Sequence, residues 1–306
     1  MRISSATMNN MATTSMGNAY TRYSELIGKI AANKNFTKIS ENVPDGVSLV
    51  KIKNQLSELD GYQGNIQHAI NEMNLAYDTL KDVSDEITNI NSLVVQAANV
   101  STTEASAKAI ASEIQQRVGS ITDLMNTKYL DNYIFSGTFI NETTYTTDSE
   151  GNITYNGSSA KAGDRNLMIS PDTKFAYNFT GEEIFGEQDG VNDFFAQMKD
   201  LLELLNYDGE DGLDYDGIRA KLGVLDKALT NVTQKNGVVS AKVSKLMATQ
   251  EINNDTITNL TQKRTDIEEV DIIKAASDLA NAQTGLRASY ALGTSVLSSV
   301  SLLDYI

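Results

Sequence analysis

The chain has no cysteine, no tryptophan, two prolines and a single histidine. The first absence excludes disulfides and thiolate metal sites. With His68 alone, a cluster of imidazole ligands is excluded and a histidine-centred catalytic site is unsupported. Positive charge is also scarce. The 25 Lys and Arg stand against 40 Asp and Glu, a formal net charge of −15. That argues against a nucleic-acid partner, whose phosphates call for cations. No stretch is apolar enough to span a membrane. The start, MRISSATMNN, lacks the basic-then-apolar pattern of a secretory signal peptide. No membrane partner, metal or cofactor is expected.

What is present is heptad spacing. In alternating steps of three and four from Leu49 come Ile52, Leu56, Leu59, Gln63, Ile66, Ile70, Met73, Tyr77, Leu80, Ser84, Ile87, Asn91, Val94 and Ala98. At 1.5 Å per residue this seam is about 75 Å long. A second seam runs from Ile218 through Leu225, Val232, Val239, Leu246 and Asn253 to Ile267, interrupted by Asn236, Gln250, Asn253 and Arg264. A shorter stripe lies between them: Ala107, Ile110, Ile114, Val118, Ile121 and Met125. Helices with such stripes hide them by packing together as a bundle or coiled coil. The expected fold is therefore mainly α, a long-helix rod.

The stretch from Asn132 to Gly186 breaks the pattern. It is rich in Thr, Tyr, Phe, Gly and Asn, with turn signals at Asp148 to Gly151, Asn156-Gly157 and Ala162-Gly163. Short alternating runs, Ile153 to Tyr155 and Leu167 to Ile169, lie between them. This predicts a small inserted β domain at the end of the rod. Tyr133 and Phe135 are expected to cover the rod's end where that domain attaches.

The termini differ again. Met8, Met11, Met16, Tyr20, Tyr23 and Ile27 form a thin apolar stripe among small polar residues, and so do Ile272, Ala276, Leu279, Gln283, Leu286, Tyr290, Gly293, Leu297 and Val300. A lone helix of this kind buries too little surface to offset its ordering entropy. The two ends are expected to pair only when neighbouring subunits pack around them. The candidate assembly residues are Met8, Met16, Tyr20, Ile27, Ile272, Leu279, Leu286, Tyr290, Leu297, Val300 and Leu303. Three segments follow: 1–44 with 266–306 for assembly, 45–137 with 190–265 for the rod, and 138–189 for the β-rich tip.

Motifs of chemistry are absent. The acidic run Asn206 to Gly217 offers no frame with calcium-loop ligand spacing. Nothing resembles a nucleophile elbow or a phosphate-cradling loop. His68 sits one position off the seam and reads as a flank residue. The chain is not expected to be an enzyme.

Several segments carry a resemblance. They are MRIS at Met1, LSELDGYQGNI (Leu56 to Ile66), LMNTKYLDNYIFSGT (Leu124 to Thr138), NFTGEEIFG (Asn178 to Gly186) and SLLDYI (Ser301 to Ile306). In this order and spacing the chain resembles the flagellin family, and within it the hook-associated junction type rather than the filament type. SENVPDG (Ser40 to Gly46) stands where the family commonly has a Ser-Asp-Asp-Pro-like element. The resemblance implies paired terminal helices and a rod-to-tip junction at Tyr133, Ile134, Phe135 and Gly137. It implies export through the flagellar type III channel without a cleaved signal, helped by a cytoplasmic chaperone. It further implies an extracellular ring of copies of this chain, seated on hook-associated protein 1 and seeding flagellin. The alternatives are a filament subunit, an intracellular coiled-coil scaffold, or a glycan-binding tip.

Overall fold

The computed structural model describes residues 5–99, 102–159, 163–188, 193–207 and 212–303, with side chains in the terminal helices described from Thr7 to Ser295. The chain forms two compact units, Met1–Glu58 with Asp255–Ile306, and Leu59–Asn254. Two long helices, α2 (Val43–Ala97) and α6 (Tyr215–Glu268), supply residues to both. These limits differ from the three segments read in the sequence. The inserted β residues belong to the larger unit, because they share its hydrophobic core.

The smaller unit holds α1 (Ser5–Ala32), the first part of α2, the last part of α6, and α7 (Ile272–Leu303). Asn33 ends α1 in the left-handed region at φ 50°. Asn33 N–H donates to the Ile30 carbonyl and Lys34 N–H to the Lys29 carbonyl, the paired bonds of a Schellman stop. Pro44 lies in the first turn of α2, where a missing N–H costs nothing. Asn35 N–H donates to the Glu268 carbonyl at 2.8 Å, and the Glu268 side chain meets Lys53 at 3.0 Å and Lys34 at 3.7 Å. The Lys53 ammonium, donating to it, holds the Glu268 carboxyl below its ordinary value. Asp271 caps α7, accepting from the N–H groups of Ile273 and Lys274.

In the larger unit α2 is buried along two parallel stripes. Ile66, Met73, Leu80, Ile87 and Val94 recur every seventh residue, and so do Ala69, Ala76, Val83, Ile90 and Ala97. Helix α3 (Glu104–Met125), capped by Thr103, buries the whole stripe read from its sequence. It packs against α5 (Phe194–Leu205). Helix α6 buries Ile218, Leu225, Val232, Val239, Leu246 and Asn253, also at every seventh residue. Each large apolar side chain so buried contributes roughly 1.5–3 kcal/mol.

The β residues form three separate antiparallel hairpins, not one sheet. They are β1 (Lys128–Tyr129) with β2 (Asn132–Tyr133), β3 (Tyr145–Thr147) with β4 (Ile153–Tyr155), and β5 (Asn166–Ser170) with β6 (Thr173–Ala176). An isolated hairpin is marginal in water, and these pack their aromatic side chains into the helical core. Tyr145, Phe185, Phe194 and Phe195 form one ring cluster, with neighbouring centroids 4.8 to 6.5 Å apart. Phe185 comes from the short helix α4 (Gly181–Phe185), capped by Thr180.

Two asparagines, Asn253 at a seam position of α6 and Asn65 beside the seam of α2, hold the third hairpin. Asn65 Nδ2 donates to the Met168 carbonyl at 2.8 Å, and Asn253 Nδ2 to the Ile169 carbonyl at 3.1 Å. Gln63 Nε2 donates to the Gln250 carbonyl and to Asn254 Oδ1, setting α2 against α6. Replacing Asn253 by Leu leaves a buried carbonyl without its donor, so we expect a loss of about 1–3 kcal/mol. Urea denaturation reads this as a lowered midpoint; an unchanged midpoint contradicts the anchoring role of Asn253.

Candidate assembly surface

Helices α1 and α7 pack against each other. On α1 the half-buried positions are Ala12, Met16, Ala19, Tyr23, Leu26 and Ile30, in alternating steps of three and four. On α7, Ala275, Leu286 and Gly293 are buried, and Leu279, Ala282 and Ser289 are half-buried, with the same spacing. The seam mixes large residues with small ones, Ala12, Ala19, Ala275, Ala282, Ser289 and Gly293. At Gly293 an added Cβ would stand 2.6 Å from Met16 Sδ, so the methionine lies directly on the glycine. Small residues at such a seam let two helix backbones approach closely.

The sequence-derived candidates therefore divide. Met16, Leu279 and Leu286 belong to the seam within the chain, Leu286 being 9% exposed. Met8, Tyr20, Ile27, Ile272 and Tyr290 are exposed instead. Leu297, Val300 and Leu303 lie outside the described side chains. The stripe read from the sequence coincides with the seam at Met16, Tyr23, Leu279, Leu286 and Gly293 and lies one position off it elsewhere. Its Tyr20 and Ile27 flank Ala19 and Leu26, and its Ala276, Gln283 and Tyr290 flank Ala275, Ala282 and Ser289. The physical reason is contrast: large apolar residues set the reading frame, while the alanines, serine and glycine that do face inward carry little hydrophobic signal.

Three more exposed apolar side chains join the flanks: Met11 at 62%, Ile273 at 85% and Leu292 at 67%. Ile273 and Leu292 were missed because they fall one position off the frame counted from Ile272. Their signal is adjacency, Ile272-Ile273 and Leu292-Gly293. In heptad terms Met8 and Met11 lie to one side of the α1 seam, and Tyr20 and Ile27 to the other. Tyr290 and Leu292 divide in the same way about α7. The helix pair presents apolar flanks on both sides, and scattered single apolar residues would need no explanation whereas a flanking set does. The charges described on these flanks are few: Arg22, Glu25 and Lys29 on α1, and Lys274, Asp278 and Arg287 on α7.

The residues read as the junction into the insert are in the larger unit. Ile134 and Phe135 are buried, and Tyr133 is half-buried with its hydroxyl 3.2 Å from Thr143 Oγ1. Gly137 adopts φ +67°, and its N–H donates to the Phe179 carbonyl. Ser136 bridges Thr180, and Gly181 N–H donates to the Phe135 carbonyl at 3.0 Å. The segments YIFSG and NFTGEEIFG, entry to and return from the insert, are thus hydrogen-bonded to each other. Among the described residues no group of His, Asp or Glu is arranged to hold a metal ion, and no helix is long and apolar enough to cross a membrane.

Residues 3–140 match the family model of the bacterial flagellin N-terminal helical region, and residues 222–306 match that of the bacterial flagellin C-terminal helical region. No curated protein matches the sequence. Among solved structures, the fold is similar to a Vibrio parahaemolyticus protein described as flagellar hook-associated, with a TM-score of 0.67 at 19% identity over 75% of this chain and 100% of that one. It is similar to flagellar hook-associated protein 3 from Legionella pneumophila, with a TM-score of 0.61 at 15% identity over 71% and 98%. It is also similar to FlgL from Bacillus cereus, with a TM-score of 0.56 at 22% identity over 69% and 97%. These likenesses concern the fold.

Proposed function

The chain belongs to the bacterial flagellin family, and from that premise we propose that it is the structural subunit of the flagellar hook–filament junction. The observation that carries this reading is the pair α1 and α7, closed on itself by a seam of its own yet apolar along both flanks. A closed ring of identical subunits requires each copy to offer two different faces, one to each neighbour. The two flanks supply them. The fold likeness to junction proteins, one of them titled the flagellar junction protein FlgL from Legionella pneumophila, favours this place in the organelle over the filament itself. In this reading the ring sits outside the cell, on a hook-associated partner, and flagellin assembles upon it. The chain reaches that site through the flagellar export channel, with a cytoplasmic chaperone shielding its apolar ends. Its role is architectural, not enzymatic.

The placing is tested by immunogold electron microscopy on flagellated cells of the source organism. A narrow band where hook meets filament is expected. Label along the whole filament would make this a filament subunit, and label confined to the cytoplasm would return it to the scaffold class.

The flank itself is tested by the double variant Tyr20→Asp with Ile27→Asp. Both side chains are exposed, so monomer stability should change by no more than about 0.5 kcal/mol per site. Recovery of the chain with sheared flagella should fall at least about tenfold, since each buried apolar side chain lost is worth about 1.5 kcal/mol or more. Undiminished recovery would remove this flank from the interface.

A further inference from the structure

The chain's one histidine lies in the larger unit, on α2, one turn before Glu72. Its Nδ1 stands 3.9 Å from Glu72 Oε2. That nitrogen is shut off from solvent and has no hydrogen-bond partner. Tyr129 of β1 and Tyr177, just beyond β6, each meet the imidazole in a T-shaped arrangement, with ring centroids 5.3 and 6.2 Å away. The Glu72 side chain is 5% exposed and receives Arg165 Nη1 at 3.1 Å. Arg165 Nη2 donates in turn to the Tyr177 hydroxyl at 2.8 Å. The charged and titratable groups around the ring are therefore Glu72 on α2, Arg165 ahead of β5, Tyr129 on β1 and Tyr177 after β6.

This arrangement is unfinished when the imidazole is neutral with its proton on Nε2. A lone pair then faces a carboxylate, two acceptors opposed across a dry gap. A proton on Nδ1 turns the same contact into donor and acceptor. The rest of the ring is open, the side chain being 36% exposed, so water supplies the proton. Imidazole is the side chain whose ordinary titration falls between pH 5 and 8.

We propose that His68 is a proton-operated clamp: on protonation it pairs through Nδ1–H with Glu72, and the carboxylate, held from its other side by Arg165, then ties the β5–β6 hairpin more tightly to α2. The clamp closes as pH falls. Its lower limit is set by Glu72 itself. Burial pushes that carboxyl up from its ordinary value, against the pull of Arg165 and His68, so further acid protonates Glu72 and dissolves the pair.

The test uses the full chain, whose single imidazole gives one set of nuclear magnetic resonance signals. The imidazole should titrate in the folded chain, and the ring signals of Tyr129 and Tyr177 should move at the same pH. Hydrogen-exchange protection of the β5–β6 amides, corrected for the intrinsic effect of pH, should rise several-fold between pH 8 and pH 6. His68→Gln should flatten that response. So should Glu72→Gln, which keeps the shape and a hydrogen bond to Arg165. Protection that is unchanged or falls with acid overturns the clamp. A full response in His68→Gln, or an imidazole that titrates while both tyrosine rings stay still, overturns it equally; the last reading needs no variant to fold.

Discussion

Leu286→Asp is expected to leave the larger unit folded and to abolish assembly. Leu286 is the large side chain that α7 buries in the seam, where Leu279 is half-buried and Ala275, Ala282, Ser289 and Gly293 are small. Removing it forfeits about 1.5–3 kcal/mol of apolar burial. The carboxylate put in its place has no cation within the seam, and a buried unpaired charge adds a further penalty of several kcal/mol. Two helices held by so thin a stripe cannot absorb such a loss, so α1 should part from α7. Limited proteolysis should then remove both ends rapidly, while circular dichroism keeps the signal of the larger unit. Recovery with sheared flagella should fall to background. Normal assembly by this variant would show that α1 and α7 need no seam of their own, and the proposed surface would have to be redrawn.

Gly137→Val should have the largest effect on the larger unit itself. Gly137 sits at φ +67°, where a β-branched side chain is a true outlier. An added Cβ would also collide with Ser158 Oγ and come within 3.0 Å of Thr180 Cγ2. That serine oxygen accepts from Thr138 N–H at 2.7 Å, so it cannot move without breaking the bond that closes the insert. Backbone strain of about 1–3 kcal/mol and overpacking of about 1–3 kcal/mol act together. A loss of about 3 kcal/mol or more in urea denaturation is the expected result. Gly151→Ala separates the two causes. Gly151 has φ +80° with nothing near its missing Cβ, so it should show backbone strain alone, roughly 1 kcal/mol. Equal losses at both sites would mean that the contact with Ser158 carries no weight.

Much of the fold was legible because long apolar seams have high contrast. The α3 stripe and the every-seventh positions of α6 are where heptad counting puts them. The runs Ile153 to Tyr155 and Leu167 to Ile169 are strands. Other features depend on partners that a pattern does not name. Asn253 reads as a polar interruption of a seam, and only the β5 backbone opposite it explains why an amide is wanted there. Glu72 lies off the counted seam and is buried because Arg165, far away in sequence, comes to meet it. Tyr77 fits the seam counted from Leu49 and is nonetheless exposed, while Ala69 and Ala76, which that count passes over, are buried. Alanine is nearly silent in a hydrophobicity pattern and decisive where helices approach closely. The same silence put part of the terminal stripe one residue off, at Tyr20, Ile27, Ala276, Gln283 and Tyr290.

The contact of Met16 with Gly293 also governs timing. Its two residues stand almost the whole chain apart, whereas each hairpin joins residues only a short loop apart. Closing a longer loop costs more entropy, by about 0.6 kcal/mol for each doubling of its length. Hairpins and neighbouring helices can form while synthesis is still under way, but α1 must wait for α7. The pairing is therefore a check on completeness: a chain cut short anywhere before its last helix has nothing to set against Met16, and cannot present both flanks.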